Sequence, residues 1–256
     1  MSVPLARRAA AELAGTATLV AVVVGSGIMA ARLSPSDTGL ELLENSLATA
    51  AGLAVVIVVA GPVSGAHLNP VVSLADWALG RRSASGLPGR ELAAYLPAQV
   101  AGAIAGAMLA NVMFGLPAVA TSARDRSGGG LWLGEAVATA GLVLVVFGLA
   151  RSGRSRLAPA VVGAYIGAAY WWTSSTSFAN PAVTVGRAFT DSFAGIAPGS
   201  VPAFVAAQLA GGLVGAVAVV VFYPAGRGAE TSSPAEGDRL AVVPADRMAE
   251  DGVSGG

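Results

Sequence analysis

The 256-residue chain contains no cysteine, no lysine and a single histidine, His67. Without cysteine there is no disulfide and no thiolate metal site. With one histidine the usual His-rich metal clusters are excluded as well. Charge is scarce: 12% of residues are charged and 54% hydrophobic, against about a quarter charged in an ordinary soluble domain. Fifteen basic and fifteen acidic residues cancel, so nucleic-acid binding has no electrostatic support. No nucleophile, base and orienter set is visible, and neither an enzyme nor a bound cofactor or metal is expected.

What the chain has is long apolar runs. Stretches near 9–31, 43–63, 92–114, 131–150, 157–174 and 200–223 are long enough to cross a bilayer with few charges. Arg7 and Arg8 ahead of the first run also suit a signal peptide. The run's length and a motif that recurs later favour a span. Six spans put both termini on one face. That face collects Arg7, Arg8, Arg81, Arg82, Arg90, Arg151, Arg154 and Arg156, against Arg32, Arg124, Arg126 and Arg187 on the other. The arginine bias predicts cytoplasmic termini in the cell membrane. Residues 224–256, rich in Pro, Gly, Ser and acids, read as a disordered cytoplasmic tail after a domain over 1–223.

The two halves of that domain resemble each other. "AELAGT" (11–16) matches "GEAVAT" (134–139), pairing Glu12 with Glu135. "HLNPVV" (67–72) matches "FANPAV" (178–183), and "PAQVAGAIAGA" (97–107) matches "AAQLAGGLVGA" (206–216), pairing Gln99 with Gln208. The matches keep their order in units of about 9–114 and 131–223. Each unit holds three spans, and an odd number repeated once enters the membrane from opposite faces. The repeat is inverted.

Each Asn-Pro pair then has a local meaning. Asn is a favoured N-cap and Pro suits the first helical position, so short helices are predicted near 69–78 and 180–189. Both are too short to span, and both follow non-helical stretches. Irregular backbone at membrane depth is tolerated only in protein or along a water-filled cavity. Two half-helices meeting at mid-depth bring two positive dipole ends together, a barrier to cations at the centre of a pore. The expected fold is an all-α membrane protein of six spans plus two re-entrant half-helices.

These motifs resemble the aquaporin and glycerol-facilitator family over residues 9–223. The resemblance implies a homotetramer in the lipid, each protomer with its own pore for small neutral solutes. It implies pore boxes at Asn69-Pro70-Val71 and Asn180-Pro181-Ala182, with both Asn amides donating to a passing oxygen. Carbonyls of Gly65, Ala66 and His67, and of Ser177, Phe178 and Ala179, would form a polar stripe. Glu12, Glu135, Gln99 and Gln208 would brace the loops. Such intramembrane carboxylates also suggest a proton path, against which their matched positions argue. Val71 departs from the family's Ala, and a packing change behind the pore is the expected consequence.

By the family's spacing the outer constriction falls on Thr49, Ala168, Ser177 and Val183. Water-selective members carry large rings and an Arg there. The small set here predicts a wide, less polar filter, similar to a bacterial subgroup found with arsenic-resistance genes. The implied solutes are water, glycerol, urea and arsenous acid. A water-selective aquaporin is the alternative, and an ion-coupled transporter a remote one. Arg187, four residues after Val183 and on nearly the same face, is a candidate charge for the outer vestibule. Against that stand snorkelling to headgroups and pairing with Asp191. His67 is expected at the cytoplasmic approach.

Overall fold

The computed structural model describes residues 3–81 and 86–224. Beyond Pro224, the expected tail lies outside the described residues. The helices are α1 (Leu5–Leu33), α2 (Thr38–Ser64), α3 (Pro70–Gly80), α4 (Gly89–Met113), α5 (Gly129–Arg151), α6 (Ala158–Trp172), α7 (Pro181–Gly186) and α8 (Val201–Phe222). Five of the six long helices are long and apolar enough to cross a membrane. The sixth, α6, has 15 residues and is preceded by a 3-10 turn at Ser155–Leu157. At 1.5 Å per residue it falls short of a hydrocarbon core of about 30 Å, and that turn lengthens it.

The halves pack alike. α1 lies against α2 and α4, α5 against α6 and α8, and both short helices touch α4 and α8. Close approach is set by small residues. A Cβ at Gly102 or Gly106 of α4 would run into the backbone carbonyls of Leu13 or Ala17 on α1. Gly211 and Gly215 of α8 stand likewise against Ala136 and Ala140 of α5. Backbone cannot yield as a flexible side chain can, so Gly106→Ala is expected to wedge α1 from α4. The check is the melting temperature of the detergent-solubilised protein, which should fall by several degrees, while Gly199→Ala, with open space around it, should not move it.

Buried valines such as Val20, Val24, Val143 and Val219 fill the centre, while Val55, Val59, Leu213 and Val221 are exposed on the perimeter. A bundle apolar outside as well as inside suits lipid as its solvent. The half-helices point to opposite faces. Leu87, two residues before α4, donates its N–H to Asp76 of α3 at 3.1 Å. Ser122, beyond the end of α4, donates to the carbonyl of Ala188 just after α7 at 3.2 Å. That is the inverted repeat in three dimensions. α7 is shorter than predicted because the chain tightens into a 3-10 turn at Arg187–Phe189 as it leaves to pair with that loop.

Candidate functional site

The segments before α3 and α7 cannot hydrogen-bond as helix, because Gly65, Ala66 and Leu68, and then Thr176, Ser177 and Ala179, all have positive φ. Their N–H groups need other acceptors at a depth without water. Glu12 supplies one set: it accepts from His67 N (3.0 Å), Leu68 N (2.6 Å), Ser64 Oγ (2.6 Å) and Gln99 Nε2 (2.8 Å). Glu135 repeats it with Phe178 N (2.8 Å), Ala179 N (2.8 Å) and Gln208 Nε2 (2.6 Å). Each glutamine also donates to the hydroxyl one turn past its asparagine, Gln99 to Ser73 at 3.0 Å and Gln208 to Thr184 at 2.8 Å. The geometry fits braces. Carboxylates this fully occupied are poor proton carriers.

The asparagines cap as their chemistry dictates. Asn69 Oδ1 accepts from Val71 N at 2.9 Å, and Asn180 Oδ1 from Ala182 N and Val183 N at 3.0 and 3.2 Å. Their amides cross over. Asn69 Nδ2 donates to the Ala179 carbonyl and Asn180 Nδ2 to the Leu68 carbonyl, each at 2.8 Å. Each loop is thus tied to the other half's asparagine. Among the described residues one N–H of each amide has no partner, and both asparagines line the same cavity. The Ala179 carbonyl, expected in the polar stripe, is instead that tie, and Ala179 does not line the cavity. Gly65, Ala66, His67, Ser177 and Phe178 do line it. Pro70, Pro181 and Ala182 are buried behind it. So is Val71, which packs on α8 where residue 212 is glycine, and this accommodates its extra methyls.

The cavity is about 280 Å³ and reaches both ends of the half-helices. One wall is aliphatic, including Leu19, Leu53, Leu142 and Val146. At one end His67 and Asp76 also border a second, open pocket with Arg8 and Glu91, so the passage continues there. At the other end stand Thr49, Ser177, Val183 and Arg187. Ala168 is not among them. It is exposed on the far side of α6, and Tyr170 takes the place expected for it, its hydroxyl 3.2 Å from Thr49 Oγ1. Two residues along a helix is a rotation of about 200°. This mouth of the cavity therefore includes a large ring.

Nor does this mouth lack a guanidinium. Arg187 is only 2% exposed, and its guanidinium carbon lies 3.4 Å from the centre of the Phe178 ring, which packs edge-on to Phe204. Its Nε donates to the Ala194 carbonyl. It neither reaches headgroups nor pairs with Asp191, whose carboxylate accepts from Ala123 N at 3.1 Å. The repeat shows here too. Two residues before each asparagine comes a ring, His67 or Phe178, and seven after comes a charge, Asp76 or Arg187. In each half they meet, His67 Nε2 lying 3.4 Å from Asp76 Oδ2. Sequence reasoning missed Asp76 and Tyr170. The signal for Asp76 was present, since an acid two turns along an apolar half-helix lies on the same face as its start.

Six long helices around two half-helices whose capped starts meet beside a continuous passage are the architecture of a membrane channel for small solutes. The profile of the Major intrinsic protein family matches residues 1–179, and the chain belongs to that family. It is 52% identical over 207 residues to aquaglyceroporin AqpS of Rhizobium meliloti (strain 1021), covering 81% of this chain and 86% of that one. It is 31% identical over 251 residues to the probable aquaporin AqpM of Archaeoglobus fulgidus, covering 87% and 98%. The solved structure of the aquaglyceroporin from Plasmodium falciparum matches with TM-score 0.65 at 21% identity, over 84% of this chain and 96% of that one. That likeness concerns the fold.

Proposed function

We propose that the chain is a passive pore for small uncharged solutes, glycerol, urea and arsenous acid as well as water. It works as a homotetramer in the cell membrane with both termini cytoplasmic. The observation that carries this reading is the crossed pair of asparagine amides at the middle of a cavity bordered on one side by aliphatic residues. A polyol or metalloid hydroxide presents hydroxyls to the Asn69 and Asn180 N–H groups and the loop carbonyls, and its remaining surface to the aliphatic wall. The name of the Rhizobium relative, an aquaglyceroporin, supports the same solute class. Ion coupling has little support, because Glu12 and Glu135 are consumed in bracing.

In this reading Thr49, Tyr170, Ser177, Val183 and Arg187 sieve the solute. Tyr170, held by Thr49, limits width, and Arg187 supplies the positive charge that Val183 does not. The test is light scattering of proteoliposomes under water, glycerol and urea gradients, with arsenous acid uptake measured alongside. The native chain should pass glycerol, Tyr170→Ala should pass it severalfold faster, and Arg187→Ala should raise cation conductance. A native chain that passes water alone sinks the solute reading. Unchanged conductance in Arg187→Ala removes that residue from the sieve.

A further inference from the structure

The mouth at Arg187 is unusually rich in positive charge without counter-ions. Arg124, Arg126 and Arg187 come together there, and none forms an ion pair among the described residues. Backbone carbonyls and rings stand in for carboxylates. Arg124 Nη1 donates to the Phe193 carbonyl at 3.0 Å and Arg126 Nε to the Gly195 carbonyl at 2.9 Å. Arg124 lies on the Phe193 ring, and Arg126 shares the Phe178 ring with Arg187, 5.1 Å from its centre. The nearby acids are engaged elsewhere: Asp125 with Ser127 and Ser200, Asp191 with Ala123 N. Burial, then the neighbouring Arg187 and Arg124 charges, push the Arg126 guanidinium down to about 9, as expected of cations crowded together.

Two buried polar groups at this mouth have capacity to spare. Arg187 spends only Nε on the protein, and no hydrogen bond to its two terminal nitrogens is present among the described residues. The Ser177 hydroxyl is buried beside the cavity that this residue lines, and it has no hydrogen-bond partner among the described residues. Unused donors beside a guanidinium are what an anion with several oxygens requires. A neutral polyol would satisfy the hydroxyls and leave the charge uncompensated.

We propose that the Arg187 mouth binds a small tetrahedral oxyanion on the Arg187 terminal nitrogens and the Ser177 hydroxyl, and that the bound ion plugs the passage. Arg124 and Arg126 supply the surrounding field. The plug rests on the pore reading above, whereas the binding does not. The Asp76 mouth, its counterpart by the repeat, carries the opposite charge and binds no such ion.

The experiment measures glycerol flux into phosphatidylcholine proteoliposomes in sodium sulfate or inorganic phosphate, against sodium chloride at equal ionic strength and osmolarity. Sulfate should block saturably in the millimolar range and chloride should not. Arg187→Gln, normalised to its own anion-free flux, should need roughly tenfold more sulfate, as loss of a charge-assisted hydrogen bond implies. Ser177→Ala and Arg126→Gln should shift the half-blocking concentration less. In parallel, low millimolar sulfate should raise the melting temperature of the detergent-solubilised native protein but not that of Arg187→Gln. No block and no shift in the native chain overturns the site, and so does equal block in Arg187→Gln. A shift without block overturns the plug. A sulfate shift in a chain that passes no solute upholds the site and sinks the pore reading instead.

Discussion

Leucine at Glu135 is expected to abolish the folded protein. The carboxylate takes the N–H groups of Phe178 and Ala179 and the amide of Gln208, all buried at a depth where water cannot replace it. An unsatisfied buried donor costs about 1–3 kcal/mol, so three together rival a total stability of about 5–15 kcal/mol. Glu12→Leu should be at least as severe, since it strands the His67 and Leu68 N–H groups, the Ser64 hydroxyl and the Gln99 amide. The measurement is the yield of monodisperse protein on size exclusion and its melting temperature. Glu135→Gln keeps one acceptor oxygen and should fold with reduced stability. Solute flux in that variant should be indifferent to an imposed pH gradient. Flux driven by such a gradient in the native chain, and lost in the Gln variant, would make the carboxylate a proton carrier.

Arginine at Val183 is expected to cut glycerol and urea flux by about tenfold or more, and water flux by much less. Val183 is 5% exposed and borders the passage with Thr49, Tyr170, Ser177 and Arg187. With protein on its other sides, a longer side chain has only the passage to extend into. Its guanidinium would also sit one helical turn from the buried Arg187, where like charges repel more strongly than the roughly 0.2–0.5 kcal/mol of an exposed helix. The half-helix keeps its cap, since Asn180 Oδ1 bonds backbone rather than the substituted side chain, and size exclusion of the variant checks that it folds. Five fixed donors and a smaller aperture favour water over anything wider. Flux falling equally for water and glycerol would mean a plug rather than a sieve. Unchanged flux would place Val183 outside the path.

The features that were legible in the sequence share a physical cause. Asn-Pro, Glu and Gln are anomalous in apolar runs, and their requirements are local. An asparagine ahead of proline caps a helix wherever it lies, and the matched order of the motifs fixes three spans per half. Helix boundaries followed to within a few residues. What failed was phase across irregular backbone. Counting back from Asn180 to Ala168 crosses a loop with residues in the left-handed region, and a slip of two residues turned the wrong face of α6 to the pore. Val71 was legible as a departure. That its extra methyls find room depends on Gly212 in the other half.

By itself the sequence determined the six spans, the inverted repeat and the two capped half-helices, because hydropathy, N-capping and the parity of crossings act over a few residues or by counting. The tertiary structure alone decided which side chains surround the passage. Tyr170 replaces Ala168 through its contact with Thr49, Asn69 and Asn180 each hold the opposite loop, and Arg187 lies on Phe178 rather than beside Asp191. Those outcomes depend on groups far apart in the chain, whose distances are set only when the two halves close on each other.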